Sequence, residues 1–183
     1  RGDALPQNKK LSMELLRVAA SQGDASSQFA LAHRLTEDCA EDCSQILEAI
    51  PLFLAASEAG YDKATEALAR IYYLGIGVEE NKQKALPFIM KAAEAGLSKS
   101  QRILGSLYDE GVFVEGSPEL ALKWYEKAAK LGDLRAMTRV GLMYFQGQGA
   151  QENFVRGLGY LWTAAKAGEG LAQCFLGEGM LNE

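Results

Sequence analysis

The side chains best suited to nucleophilic or metal chemistry are few in this chain: one histidine, His33, and three cysteines, Cys39, Cys43 and Cys174. One imidazole cannot build a site of several histidines, and Ser-His-Asp or Cys-His catalysis would need a pocket holding base and nucleophile together. His33 stands ten residues after Gly23, on the outward side of its helix, and reads as a surface residue. Cys39 and Cys43 lie in "TEDCAEDCS", where the chain must reverse. Three readings stay open for them. A disulfide would pin the turn by closing a short loop, worth on the order of 2 kcal/mol. Free thiols are the second, and a metal held with His33 and an acidic neighbour the third. Cys174 has no partner close in sequence and reads as a helix residue. No phosphate-cradling G-x-G-x-x-G or Walker-type loop occurs, and the carboxylate pair Glu79–Glu80 falls in a turn, where solvated charge is expected. The expectation is therefore a chain without catalytic residues, metal or cofactor.

Composition narrows the class of protein. With 48% hydrophobic and 23% charged residues the chain is that of a folded protein rather than a disordered one. Its net charge is −5, and its Lys and Arg residues are scattered without a basic run, so nucleic acid is not an expected partner. No apolar run approaches the roughly 18 residues that a membrane span needs. The opening "RGD" matches an adhesion motif in three letters only and carries no weight at a terminus. Beginning with Arg1 rather than Met, the sequence reads as a fragment or a processed product.

The elements that must position these residues repeat. Gly23, Gly60, Gly96, Gly132 and Gly168 recur at intervals of 36 or 37 residues. Four residues after each comes a small side chain (Ser27, Ala64, Ser100, Ala136, Ala172), and eight after, an aliphatic one (Leu31, Leu68, Leu104, Val140, Leu176). Nine after is small again, and twelve after stand Tyr72, Tyr108 and Tyr144. Offsets four, eight and twelve share one side of a 3.6-residue helix, which marks a first helix with a packed face. Gly75, Gly111 and Gly147 then end it. A second helix starts at an N-cap (Asn8, Asn81, Ser117 or Asn153), carries bulk at Phe88, Trp124 and Tyr160, and closes with an alanine pair and the glycine. Trp124 and Trp162 are expected to pack between helices. Pro51 and Pro87, inside second helices, predict a bend or a late helix start. The reading is ten helices: a lone second helix over about 9–22, four pairs, and a final first helix over about 169–181. The units run 9–23 (partial), 24–60, 61–96, 97–132, 133–168 and 169–183 (partial), within a single domain spanning 1–183, because no helix pair of this size buries its apolar face alone.

"ALARIYYLGIGVEENKQKALPFIMKAAEAG", Ala67 to Gly96, and "TRVGLMYFQGQGAQENFVRGLGYLWTAAKAG" carry a family likeness. The pattern small-x₃-Leu-Gly-x₂-Tyr-x₂-Gly-x-Gly, followed by a capped start, Lys-Ala, an aromatic residue and Ala-Ala-x-x-Gly, resembles the Sel-one-like repeat (SLR), a longer-period relative of the tetratricopeptide repeat. Gly157 departs from it, standing where Lys-Ala is usual. The resemblance implies an all-α, right-handed superhelical solenoid and a non-catalytic adaptor that holds a protein or peptide partner. It also implies a bacterial source and leans towards a periplasmic or secreted rather than cytoplasmic location. Secreted relatives carry helix-pair disulfides whose cysteines are more widely spaced than Cys39 and Cys43.

In tandem helix-pair solenoids the first helices line the concave face, and here offsets two, three, six, ten and thirteen lie opposite the packed side. The expected partner-binding residues are Glu66, Arg70 and Tyr73, then Arg102 and Asp109, then Arg135, Thr138, Leu142 and Phe145. Leu134, Leu142 and Phe145 would form an outward apolar patch beside a polar one, or else be buried structurally. Alternatives to the adaptor are a structural segment of a longer array and, less favoured, a glycan-binding or hydrolytic module.

Overall fold

The structure, a computed structural model, describes residues 9–37 and 44–181. Cys39 and Cys43 fall outside the described residues, and the choice among disulfide, thiols and metal falls outside with them. Among the described residues the regular structure is ten α-helices: α1 (Lys9–Ser21), α2 (Ala25–Thr36), α3 (Ile46–Glu58), α4 (Asp62–Leu74), α5 (Lys82–Glu94), α6 (Ser98–Glu110), α7 (Pro118–Lys130), α8 (Leu134–Gln146), α9 (Phe154–Lys166) and α10 (Gly170–Leu181). The even-numbered helices are the first helices of the sequence pattern, and the odd-numbered ones the second.

Local chemistry fixes the boundaries. Side-chain oxygens accept the orphan backbone N–H groups of the first turns: Asp24 from Ser27, Asn81 from Lys84, Ser117 from Leu120, Asp133 from Ala136, Asn153 from Arg156 and Glu169 from Ala172. At the other end, Gly132 sits at φ 89°, a left-handed geometry that a Cβ would oppose, and lets the chain leave α7 for α8 within three residues. The late helix start expected at the prolines does not occur. α5 begins at Lys82, the repeat equivalent of Pro118 in α7, and runs through Pro87; α3 runs through Pro51. Each proline is the sixth helical residue, so the amide it lacks would have reached back only to an exposed first-turn carbonyl.

The chain falls into two compact units, Arg1–Phe88 and Ile89–Glu183. In the first, Leu31, Leu35, Ile46, Phe53, Leu68 and Ile71 are buried. Phe29 rests between Phe53 and Tyr61, with ring centroids at 5.8 and 5.0 Å. A hydrogen bond of 2.6 Å joins the buried hydroxyls of Ser57 and Thr65.

In the second unit the alanine pairs allow close helix packing. Ala121, Ala128, Ala129 and Ala136 pack with Leu122, Tyr125, Val140, Met143 and Tyr144. Gly141 and Gly157 bring α8 and α9 together: a Cβ on Gly157 would lie 2.8 Å from the Gly141 carbonyl oxygen and 2.6 Å from the Phe145 ring. Gly157, the departure from the repeat pattern, is what makes room for Phe145. Trp162 is 45% exposed, against the expected inter-helix packing. It takes the place that Glu126 has one repeat earlier, an outward position on its helix.

Candidate functional site

The site is built on the first helices of the second unit, and cross-repeat pairs hold them in register. Arg102 of α6 donates to Asp133, the N-cap of α8, at 3.2 Å. Seven residues up α6, Asp109 accepts from Arg139 of α8. One repeat on, the Thr138 hydroxyl lies 3.0 Å from the carboxylate of Glu169, at the start of α10, and Phe145 meets Phe175 edge-on at 5.5 Å. Residues ascending α6 meet residues ascending α8, and those ascending α8 meet α10 in the same order. The three helices therefore run parallel, their N-termini along one rim.

Between them lies a groove of about 450 Å³. Tyr125 of α7 lines it from below, 3% exposed. Burial, with the nearby Asp109 charge, pushes the Tyr125 phenol above its ordinary pKa, so it stays a neutral hydrogen-bonding group. Burial works against the charge of Arg139, yet the hydrogen bond and charge of Asp109 hold its pKa above the usual arginine value. Arg102, Asp109, Thr138 and Arg139 also line the groove, but each is already engaged across the repeat boundary. Arg135 near the start of α8, Glu110 at the end of α6 and Leu171 at the start of α10 stand exposed at its edges. Ser106 Oγ donates to Glu110 at 2.5 Å.

The predicted partner-binding residues therefore separate. Arg102, Asp109, Arg135 and Thr138 are brought together in the groove, and of these only Arg135 is exposed. Thr138 is 1% exposed, so the expected solvent-facing position at offset six is a buried coupling position instead. Leu142 and Phe145 do not form the expected outward patch. Both are half-buried against Leu161, Ala164 and Ala172, and Phe145 also meets Phe154 at 5.3 Å. In the first unit, on α4, Arg70 is exposed, Glu66 is half-buried, and Tyr73 is half-buried under the Lys82 ammonium at 5.4 Å. His33 is exposed on α2, 3.6 Å from Glu37. No group of three or more His, Cys, Asp or Glu side chains suited to a metal occurs among the described residues, and no described helix is long and apolar enough to cross a membrane.

The Sel1 repeat pattern matches residues 1–24, 63–97, 98–133 and 134–169. The chain belongs to the Sel1 repeat family. Among solved structures, it is similar to a protective antigen of uropathogenic Escherichia coli displaying an SLR fold (30% identity, TM-score 0.81, 91% of this chain and 35% of that one). It is also similar to a Sel1 repeat protein from Oxalobacter formigenes (31%, TM-score 0.81, 96% and 51%). The chain thus spans between a third and about half the length of these two structures. Helicobacter pylori cysteine rich protein B shares the fold at 24% identity and a TM-score of 0.52, over 62% of this chain and 92% of that one. No curated protein sequence matches the chain. The fold is an all-α helical repeat solenoid, and Sel1 repeats are generally protein-interaction modules.

Within this Sel1 repeat chain the residues that sequence reasoning missed, Tyr125, Arg139, Glu169 and Glu110, left a signal between repeats rather than within one. Offset six of one repeat meets offset one of the next: Phe29 with Tyr61, Arg102 with Asp133, Thr138 with Glu169. Offset thirteen meets offset seven: Asp109 with Arg139, Phe145 with Phe175. At each of these joints the two side chains match in kind.

Proposed function

We propose that this Sel1 repeat chain is a non-catalytic scaffold, a single repeat domain over 1–183, that grips a peptide or an extended segment of a protein partner on the face formed by its first helices. The observation that carries this reading is the groove between α6, α8 and α10. Its inner polar groups are tied in pairs, which preorganises it, while Arg135, Glu110 and Leu171 are left exposed at its edges. A rigid, partly polar trough with exposed ends suits main-chain and side-chain recognition better than it suits a small enclosed ligand.

The test is selection from a displayed random-peptide library on the wild type, followed by rebinding to a Leu171→Asp, Ser106→Trp variant whose groove is filled and made polar. Selected peptides should lose binding to the variant while its far-ultraviolet dichroism and melting temperature stay unchanged. Retained binding would place recognition elsewhere. A library that yields no binder at all would support a second reading, a structural stretch of a longer array, which the 35% and 51% coverage of the two longer structures favours.

A further inference from the structure

We infer that the α6–α8–α10 groove selects an extended peptide carrying an acidic and a basic side chain three to four positions apart, the acid seated at Arg135 and the base at Glu110. The inference rests on the groove reading above and names its ligand chemistry.

Arg102 is paired with Asp133 and Arg139 with Asp109, so four charges cancel within the wall. The Glu169 carboxylate takes the Thr138 hydroxyl and the Ala172 amide at the start of α10. Both donors to Glu169 are neutral, so it keeps its charge, but it is half-buried; the exposed charges are Arg135, in the first turn of α8, and Glu110, in the last turn of α6, where among the described residues the neutral Ser106 hydroxyl meets it. The helices themselves add to this polarity. α6, α8 and α10 run parallel, so the positive ends of their dipoles share the rim of Arg135, and the C-terminus of α6 lies with Glu110. The exposed charges are thus of opposite sign at the two ends, Arg135 on the rim that the half-buried Glu169 shares and Glu110 on the opposite side.

Geometry sets the spacing. Asp109 faces Arg139, so Glu110 is level with about Val140, five residues and hence about 7.5 Å along the axis from Arg135. α6 and α8 meet through long side chains rather than by direct packing, so their axes lie at or beyond the upper end of the about 8–10 Å of packed helices, which makes the diagonal about 12–13 Å. In an extended chain rising about 3.3 Å per residue, that distance separates side chains three to four positions apart. In a helix it would need about eight positions, with the two side chains a little over two turns apart. The extended form also avoids laying a helix dipole alongside three parallel ones.

The experiment uses fluorescein-labelled decapeptides with an alanine–serine background, titrated by anisotropy. One carries an aspartate and a lysine four positions apart; the others carry two aspartates, two lysines or neither at the same places. The wild type should bind the mixed peptide about tenfold more tightly than either like-charged peptide. Arg135→Glu should move the preference to the two-lysine peptide, and Glu110→Lys to the two-aspartate peptide, with unchanged dichroism in both. A preference order that neither substitution alters, or no gain over the uncharged peptide, overturns the charge rule. If library-selected peptides still lose binding to the filled-groove variant in that case, the groove reading survives and the charge rule alone falls. If they do not, both fall.

Discussion

α6 and α8 occupy equivalent places in successive repeats, yet they hold the next repeat by opposite chemistries. From offset thirteen, α6 reaches forward with Asp109 to Arg139, and α8 reaches forward with Phe145 to Phe175. From offset six, α6 uses Arg102 on Asp133 and α8 uses Thr138 on Glu169. The backbone fixes where each joint falls, and the joint is filled by an ion pair, a hydrogen bond or an aromatic edge. The consequences differ. At offset thirteen the α6 joint is half-exposed and lies in the groove, whereas the α8 joint is apolar and merges with the cluster of Leu161, Ala164 and Ala172.

The largest effect should come from breaking the aromatic joint. Phe145→Asp removes ring contacts to Phe154 and Phe175 and places a carboxylate against an apolar cluster, at a cost of about 3 kcal/mol. Urea unfolding would show a lower midpoint. A variant as stable as the wild type would mean that Phe145 is a surface residue after all. Gly157→Ala should come next, at about 1–2 kcal/mol despite alanine's better helix propensity, because its Cβ meets the Gly141 carbonyl and the Phe145 ring. Pairing it with Phe145→Ala sharpens the point: the glycine substitution should become milder when the ring is gone, giving a measurable coupling in the double-mutant cycle.

The ionic joint should yield less. Asp109→Ala leaves Arg139 with partial solvent access, and its cost should be about 1 kcal/mol, falling as salt is raised. The Phe145 variants should show no such salt dependence.

How far the sequence carried the reading follows from the same contrast. Helix order, most boundaries and the second-helix caps were legible because they depend on local periodicity and on side chains within a few residues of each helix end: Asn81, Ser117, Gly132 and Gly147 announce themselves, whereas Pro51 and Pro87 misled. The site was legible only in part. Helix periodicity places Thr138 and Phe145 opposite the packed face of α8, but Phe145 packs within its own pair, against Phe154 of α9 and in the space left by Gly157. Periodicity is blind to the neighbouring repeat, which covers the same side from about 30 residues further on. Arg135 escaped that covering and stands exposed, as the periodicity expects. Tyr125 was missed because it lies on a second helix and enters the groove through the space left by Gly105, whose Cβ would sit 2.9 Å from its ring. Trp162 failed for the mirror-image reason: bulk at a repeat position was read as packing, and the position faces outward.

The smallest effect concerns a joint between second helices, and it is read through pH. Glu126 of α7 accepts from Arg156 of α9 at 2.8 Å, the same reach of 30 residues as Asp109 to Arg139. Tyr144 of α8 donates its hydroxyl to the same Glu126 oxygen at 2.8 Å, with the Arg156 guanidinium 4.4 Å from its ring. Burial, then the hydrogen bond to Glu126 and the Glu126 charge, push the Tyr144 phenol up to about 12. The folded state thus favours the neutral phenol more than the unfolded state does. Its contribution is complete below pH about 10, the ordinary tyrosine value, and is lost as pH rises from there to about 12. Tyr144→Phe should lower stability at neutral pH by under about 1 kcal/mol, since Glu126 keeps Arg156. Its stability should also fall less steeply than that of the wild type between those pH values. Parallel pH profiles would show that neither burial nor Glu126 raises the phenol. A shallower profile would extend the rule drawn from α6 and α8 to the second helices, where a charged joint spans neighbouring repeats and a residue of the intervening helix completes it.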